Sequence, residues 1–216
     1  MFYKTKDVLA MFNLLNDHKV EYILTKNIAG QFPSQLKIDK DIDIIVHPKD
    51  YEQFKALMLN SGYERVVHPH GKEVGWQFLY GAHENIFFRH VATSLIVDVY
   101  AELCTKSIAM NAWMPLDKSI QSSIWENKVW DEENRWWIMD DENMIVYLLT
   151  RSVFEKNNFS DAYISEIEKR KALLISPLVR QKLAKIFFKF TDTLLQKIHQ
   201  RQYEDIVKAY ITFTDY

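Results

Sequence analysis

Cysteine is almost missing from this chain: Cys104 is the only one in 216 residues. That excludes an intrachain disulfide and any multi-cysteine zinc site, and Cys104 reads as a small buried hydrophobe. Glycine and proline are scarce, five of each, and no stretch rich in either forms a flexible linker. No apolar run approaches the roughly 20 uncharged residues of a membrane helix, and the opening Met-Phe-Tyr-Lys-Thr-Lys-Asp lacks a run of signal-peptide length, so the expectation is a cytoplasmic protein. Neither sign of charge dominates. A net charge of -2 and a pI near 6.4 carry no global signal for nucleic acid or an anionic membrane. There is no internal repeat and no low-complexity tract.

What is abundant is apolar and aromatic: 48% and 14% of the residues, ample for a packed core. Thr5 is positioned to cap a helix that buries Val8, Met11, Phe12 and Leu15 at helical spacing. A short strand over Val20 to Leu24 follows, then a polar turn, Thr25-Lys26-Asn27-Ile28-Ala29-Gly30. A strand from about Lys37 to Val46 stops at His47-Pro48, and a helix carries Tyr51, Phe54, Leu57 and Met58 up to Ser61-Gly62. Short strands are predicted at 65–67, 76–80, 86–89 and 95–100. Met110 to Met139 is tryptophan-rich, with a hairpin suggested by Val129-Trp130 and Trp136 to Met139 around Asp131 to Asn134. Beyond Asp140 the pattern is helical, with Asp140 or Asp141, Ser160 and Ser176-Pro177 as helix starts. The expected architecture is therefore α/β (α+β): a mixed sheet backed by helices over 1–139 and a helical subdomain over 140–216.

The chemistry concentrates in Lys-Ile-Asp-Lys-Asp-Ile-Asp-Ile-Ile-Val, residues 37–46. On a strand, Asp41 and Asp43 share one face while Ile42, Ile44 and Val46 take the other. Two carboxylates held side by side repel unless a proton or cation lies between them, and hard oxygen ligands favour Mg²⁺ or Mn²⁺. On an isolated edge strand such a pair is simply solvated. Here a third carboxylate, Asp98, sits inside the apolar run Leu-Ile-Val-Asp-Val-Tyr, where a charge needs a partner.

A polar turn after one strand, paired aspartates on the next and a third on a later strand resemble the nucleotidyltransferase superfamily over roughly Val20 to Tyr100. The resemblance extends to a bacterial branch of nucleotidyltransferase-like proteins with a Lys-Gly turn, and to phosphotransferases that decorate surface polysaccharides. It implies that Asp41 and Asp43 bind the metal, that Asp98 completes the site as ligand or proton acceptor, and that Lys26, in the turn with Thr25 and Asn27, meets a substrate phosphate. Asn27 stands where the family has glycine. The implied activity is transfer of a nucleotidyl group from a nucleoside triphosphate to a small hydroxyl or phosphate acceptor. One alternative is phosphotransfer from a CDP-linked donor to a polysaccharide sugar, and another is a catalytically silent binding protein.

Other residues carry weaker signals. Arg89, ending a strand near Asp98, is a candidate for substrate phosphate, with an ordinary ion pair as the other reading. Asp39 stands at the strand entrance, and His68 and His70 alternate as a metal pair would but lack a third ligand. Six basic residues from Arg180 to Arg201 face one acid, Asp192, and read either as an anion-binding surface or as the solvated face of a helical bundle. No ladder of aromatics interleaved with basic residues accompanies them, so nucleic acid is not specifically indicated.

Overall fold

The computed structural model describes residues 1–38, 40–66, 86–108 and 113–215. The predicted strand at 76–80, the histidines His68 and His70, and Asp39 lie outside them. Helix α1 (Thr5–Asp17) buries Val8, Met11, Phe12 and Leu15. Its N-cap position is Lys4 and no side chain caps it, so Thr5 is the first helical residue rather than the cap. Strand β1 (Tyr22–Leu24) follows, then a short 3₁₀ turn (Ile28–Gly30), β2 (Asp41–Val46) and α2 (Tyr51–Asn60), which buries Phe54 and Met58. Pro48 opens the turn that separates β2 from α2, and the imidazole of His47 accepts the Lys49 amide at that corner.

Strands β3 (Tyr63–Val66), β4 (Ile86–His90) and β5 (Ile96–Tyr100) come next, then β6 (Cys104–Lys106) paired with β7 (Trp113–Pro115). Helix α3 (Lys118–Glu126) begins at Asp117, whose carboxylate accepts the Ser119 amide at 2.9 Å. The suggested hairpin is present as β8 (Val129–Asp131) and β9 (Trp136–Ile138), with Trp130 opposite Trp137. The rest is helical: α4 (Asp141–Arg151), a π-helical turn (Ser152–Lys156), α5 (Asp161–Arg170), α6 (Pro177–Phe187), α7 (Thr191–His199) and α8 (Tyr203–Ile211).

Seven of the strands form one mixed sheet in the order β3-β4-β5-β2-β1-β9-β8. The pairs β2–β5 and β1–β9 are parallel and the other neighbours antiparallel. Period-two alternation divides the side chains of β2 between two cores. Ile42, Ile44 and Val46 join Val97 and Val99 of β5 beneath α1 and α2, in a cluster that also holds Phe12 and Trp136. Ile45, with Ile23 of β1, joins α4 and the C-terminal helices. Asp41 and Asp43 share the parity of Ile45, so the helical part of the chain covers the face that carries the aspartates. Helix α4 is buried on every side from Asn143 to Arg151; within it the Asn143 amide donates to Asp140 Oδ1 and the Thr150 hydroxyl to Val146 O. Among the described residues no helix is long and apolar enough to cross a membrane.

Candidate active site

Parallel pairing of β2 with β5 sets Asp43 directly opposite Asp98, with Asp41 opposite Ile96. Residues in register on neighbouring strands project to the same face, so three carboxylates arrive together: one ligand oxygen from each of Asp41, Asp43 and Asp98 lies within 4.8 Å of the others. Asp43 and Asp98 are 3% and 4% exposed, and Asp41 is half-buried. Charges this deep are costly unless compensated. Burial, then the charge of Asp43, pushes the Asp98 carboxyl up to about 7. The same two causes raise Asp41.

Asp98 is held by one oxygen only. Tyr100, two residues on and therefore on the same face, donates its hydroxyl to Asp98 Oδ2 at 2.6 Å. Asp98 Oδ1 is buried and has no hydrogen-bond partner among the described residues. Three hard carboxylate oxygens and an orphaned acceptor fit a divalent cation such as Mg²⁺ or Mn²⁺, which would be held by Asp41, Asp43 and Asp98.

The turn after β1 supplies a cation. Thr25 closes onto β2 through its amide, 3.0 Å from Asp43 O, and its buried hydroxyl, 3.1 Å from the same oxygen. The next residue, Lys26, thereby reaches the cluster: its Nζ lies 2.7 Å from Asp43 Oδ2, with only 16% of its side chain exposed. It is a buried partner of the carboxylates rather than a solvated turn residue. Asn27 works on the turn itself, since its Oδ1 accepts the Phe32 amide at 2.9 Å. Its φ is −133°, and the left-handed position in this turn belongs to Gly30, at φ +64°. A Cβ added at Gly30 would meet nothing within 4 Å, so the demand there is conformational.

Arg89 shares the aspartate face through its register with Ile96, yet its guanidinium turns to Glu64 on β3, with Nε 2.9 Å from Oε1. It is exposed and is not brought onto the carboxylates.

Several residues that sequence reasoning missed come from α4 and its π-helical extension. Arg151 is 8% exposed. It donates to the Tyr147 hydroxyl at 2.5 Å and pairs with Glu155 at 2.8 Å, while its Nε has no partner among the described residues. Its positive charge acts on Asp41 and favours the ionised carboxylate. A cavity beside the cluster is lined by Thr25, Tyr100, Cys104, Trp113, Tyr147 and Arg151. The signal for Arg151 was of the kind used for Asp98: a charge closing the apolar run Met-Ile-Val-Tyr-Leu-Leu-Thr.

The basic run of the last helices proves to be internally matched. Arg180 pairs with Asp192, Lys185 with Asp117, Lys189 with Asp215, Lys197 with Asp205 and Arg201 with Glu168, while Lys182 donates to Asn143 Oδ1.

No family profile matches the chain, and no curated protein does. Similar solved structures include the lincomycin-bound lincosamide antibiotic adenylyltransferase LnuA, at 13% identity and TM-score 0.47, covering 80% of this chain and 99% of that one. The antibiotic-resistance factor ANT(2'')-Ia is 8% identical at TM-score 0.46, over 92% and 93% of the two chains. An antigenic nucleotidyltransferase-like protein from Paracoccidioides brasiliensis is 11% identical at TM-score 0.46, over 90% and 94%.

Proposed function

We propose that this chain is a metal-dependent nucleotidyltransferase that moves a nucleotidyl group from a nucleoside triphosphate to a hydroxyl of a small acceptor. The observation that carries the reading is the convergence of Asp41, Asp43 and Asp98 on one face, with Asp98 Oδ1 buried and unpartnered. A divalent cation bound there would neutralise charge on the donor phosphates. Asp41, Asp43 and Asp98 would hold it, and Lys26 would offer an ammonium to a phosphate oxygen as a point charge. The acceptor oxygen forms a bond to the α-phosphorus as the bond from that phosphorus to its bridging oxygen breaks. Pyrophosphate leaves with the electron pair, and the acceptor's proton passes to solvent water.

The test is calorimetric titration with ATP, GTP, CTP and UTP, each with and without Mg²⁺, on the natural chain and on Asp43→Asn. The expected result is binding of at least one triphosphate that requires both Mg²⁺ and Asp43. Equal binding by Asp43→Asn would end the proposal. Mass spectrometry of an acceptor product then identifies the transferred group: a nucleoside monophosphate increment supports the reading, and a phosphocholine or other substituted phosphoryl increment replaces it with the CDP-donor alternative.

A further inference from the structure

Lys26 stands where a cation is needed, and the structure shows it in a role distinct from phosphate binding. Its ammonium lies 2.7 Å from Asp43 Oδ2, and both side chains are largely buried. Among the described residues it is the basic group ion-paired to this carboxylate cluster, since Arg151 pairs with Glu155 and Arg89 with Glu64. We infer that Lys26 is a displaceable stand-in for the catalytic cation: it neutralises Asp43 in the metal-free protein, is released from Asp43 when a divalent ion binds, and in that released state contacts the donor's phosphates. The inference rests on the metal-dependent reading above and adds a coupling between its two ligands.

Buried carboxylates cannot stay unpaired, and an ammonium within hydrogen-bond reach compensates one of them. A divalent ion drawing on the same carboxylate meets that ammonium as a like charge at close range, in surroundings far less screening than water. Lysine is the side chain suited to leaving: a compact charge on a flexible four-carbon stem, without the planar two-point grip of arginine. Its backbone does not have to move. Thr25 anchors the turn to β2 by two hydrogen bonds, and Asn27 braces the other side through the Phe32 amide. The Lys26 side chain can therefore swing while the turn stays in place, and a triphosphate bound beside the cation would offer an anion to receive it. The metal and the donor therefore help each other to bind, because each favours the same released Lys26.

Two measurements test this, and both have readouts besides turnover. In Lys26→Met the competing charge is gone, so the affinity for Mg²⁺ alone should rise by about tenfold, while the affinity for inorganic tripolyphosphate in the presence of Mg²⁺ falls by a similar factor. A residue that merely braced the fold would weaken both together. Mg²⁺ affinity that is unchanged or lower in a folded Lys26→Met would overturn the inference. The second measurement uses the natural chain and does not depend on a variant folding. Acetic anhydride labelling of Lys26, read by mass spectrometry, should increase when Mg²⁺ is added alone and fall again when tripolyphosphate follows. Labelling that Mg²⁺ leaves unchanged would sink the stand-in role, and labelling that bound tripolyphosphate leaves high would sink the phosphate contact. Nucleotidyl transfer is judged separately: a Lys26 response to Mg²⁺ without any nucleotide binding would leave the stand-in intact and defeat the transferase reading.

Discussion

Asp98 is the residue on which fold stability and the proposed chemistry pull in opposite directions. Its carboxyl, pushed up to about 7 by burial and by Asp43, compares with about 3.9 for an unfolded aspartate. Between those values the folded chain binds more protons than the unfolded chain, so in the absence of metal stability falls as pH rises from about 4 to 7. Glu21 acts the other way. Burial opposes its ionisation, but the ammonium groups of Lys128 and Lys49 outweigh it and hold the carboxyl at about 2. Its contribution is complete above the ordinary glutamate range and is lost as pH falls toward 2. The expected outcome for Asp98→Asn is a metal-free protein more stable than the natural one at pH 8, by an amount on the order of 4 kcal/mol, with the gap closing at pH 4. Urea unfolding at the two pH values measures it, and Mg²⁺ should raise the midpoint of the natural chain alone. An Asp98→Asn protein less stable than the natural chain at pH 8 would show that Asp98 is structurally satisfied. Tyr100, whose hydroxyl occupies Oδ2, explains why one oxygen stays free. That contact was legible in the spacing of Asp98 and Tyr100, because residues two apart on a strand share a face.

At the scale of elements, the sheet strands around the site were readable and their neighbours less so. Period two in Asp41 to Val46 and in Ile96 to Tyr100 gave both strands, and the facing of their aspartates follows from the parallel register between them. No local pattern announces that register, since strands that pair in parallel are separated by a long connection whose course the sequence leaves open. The stretch from Met110 to Met139 resisted for a different reason: its strands are three residues long, below the length at which alternation shows. Helix α3 within it did have a signal, Asp117 as cap ahead of Ile120 and Ile124 on one face. The join between sheet and helices is carried by residues such as Ile45, fully buried beneath α4 and two positions from Asp43. Ile45→Ala should cost about 2–5 kcal/mol in unfolding free energy, because the close-packed helices cannot collapse fully into the space left. Denaturant unfolding checks the figure, and a loss below about 1 kcal/mol would mean that this join relaxes freely.

For the whole molecule, the distribution of charge decides what partners the surface can attract. Read along the chain, six basic residues against Asp192 suggest a positive face. In the folded protein the acids that answer them come from elsewhere: Asp117 before α3, Glu168 on α5, Asp205 on α8 and Asp215 beyond it. Tertiary structure therefore spreads the charge of a run that a linear window exaggerates. Each exposed pair contributes little to stability, but together they lower the potential that would draw in a polyanion. Binding to nucleic acid depends on a concentrated set of cations releasing counterions from phosphates, which makes it steeply dependent on salt. The natural chain should accordingly elute from a heparin column below about 0.2 M NaCl and give no measurable shift of single-stranded RNA at about 0.15 M. Asp117→Asn combined with Asp205→Asn frees Lys185 and Lys197 and should move elution to higher salt. Tight heparin binding by the natural chain, unaffected by that double change, would mean that the anion-binding surface lies on another part of the molecule.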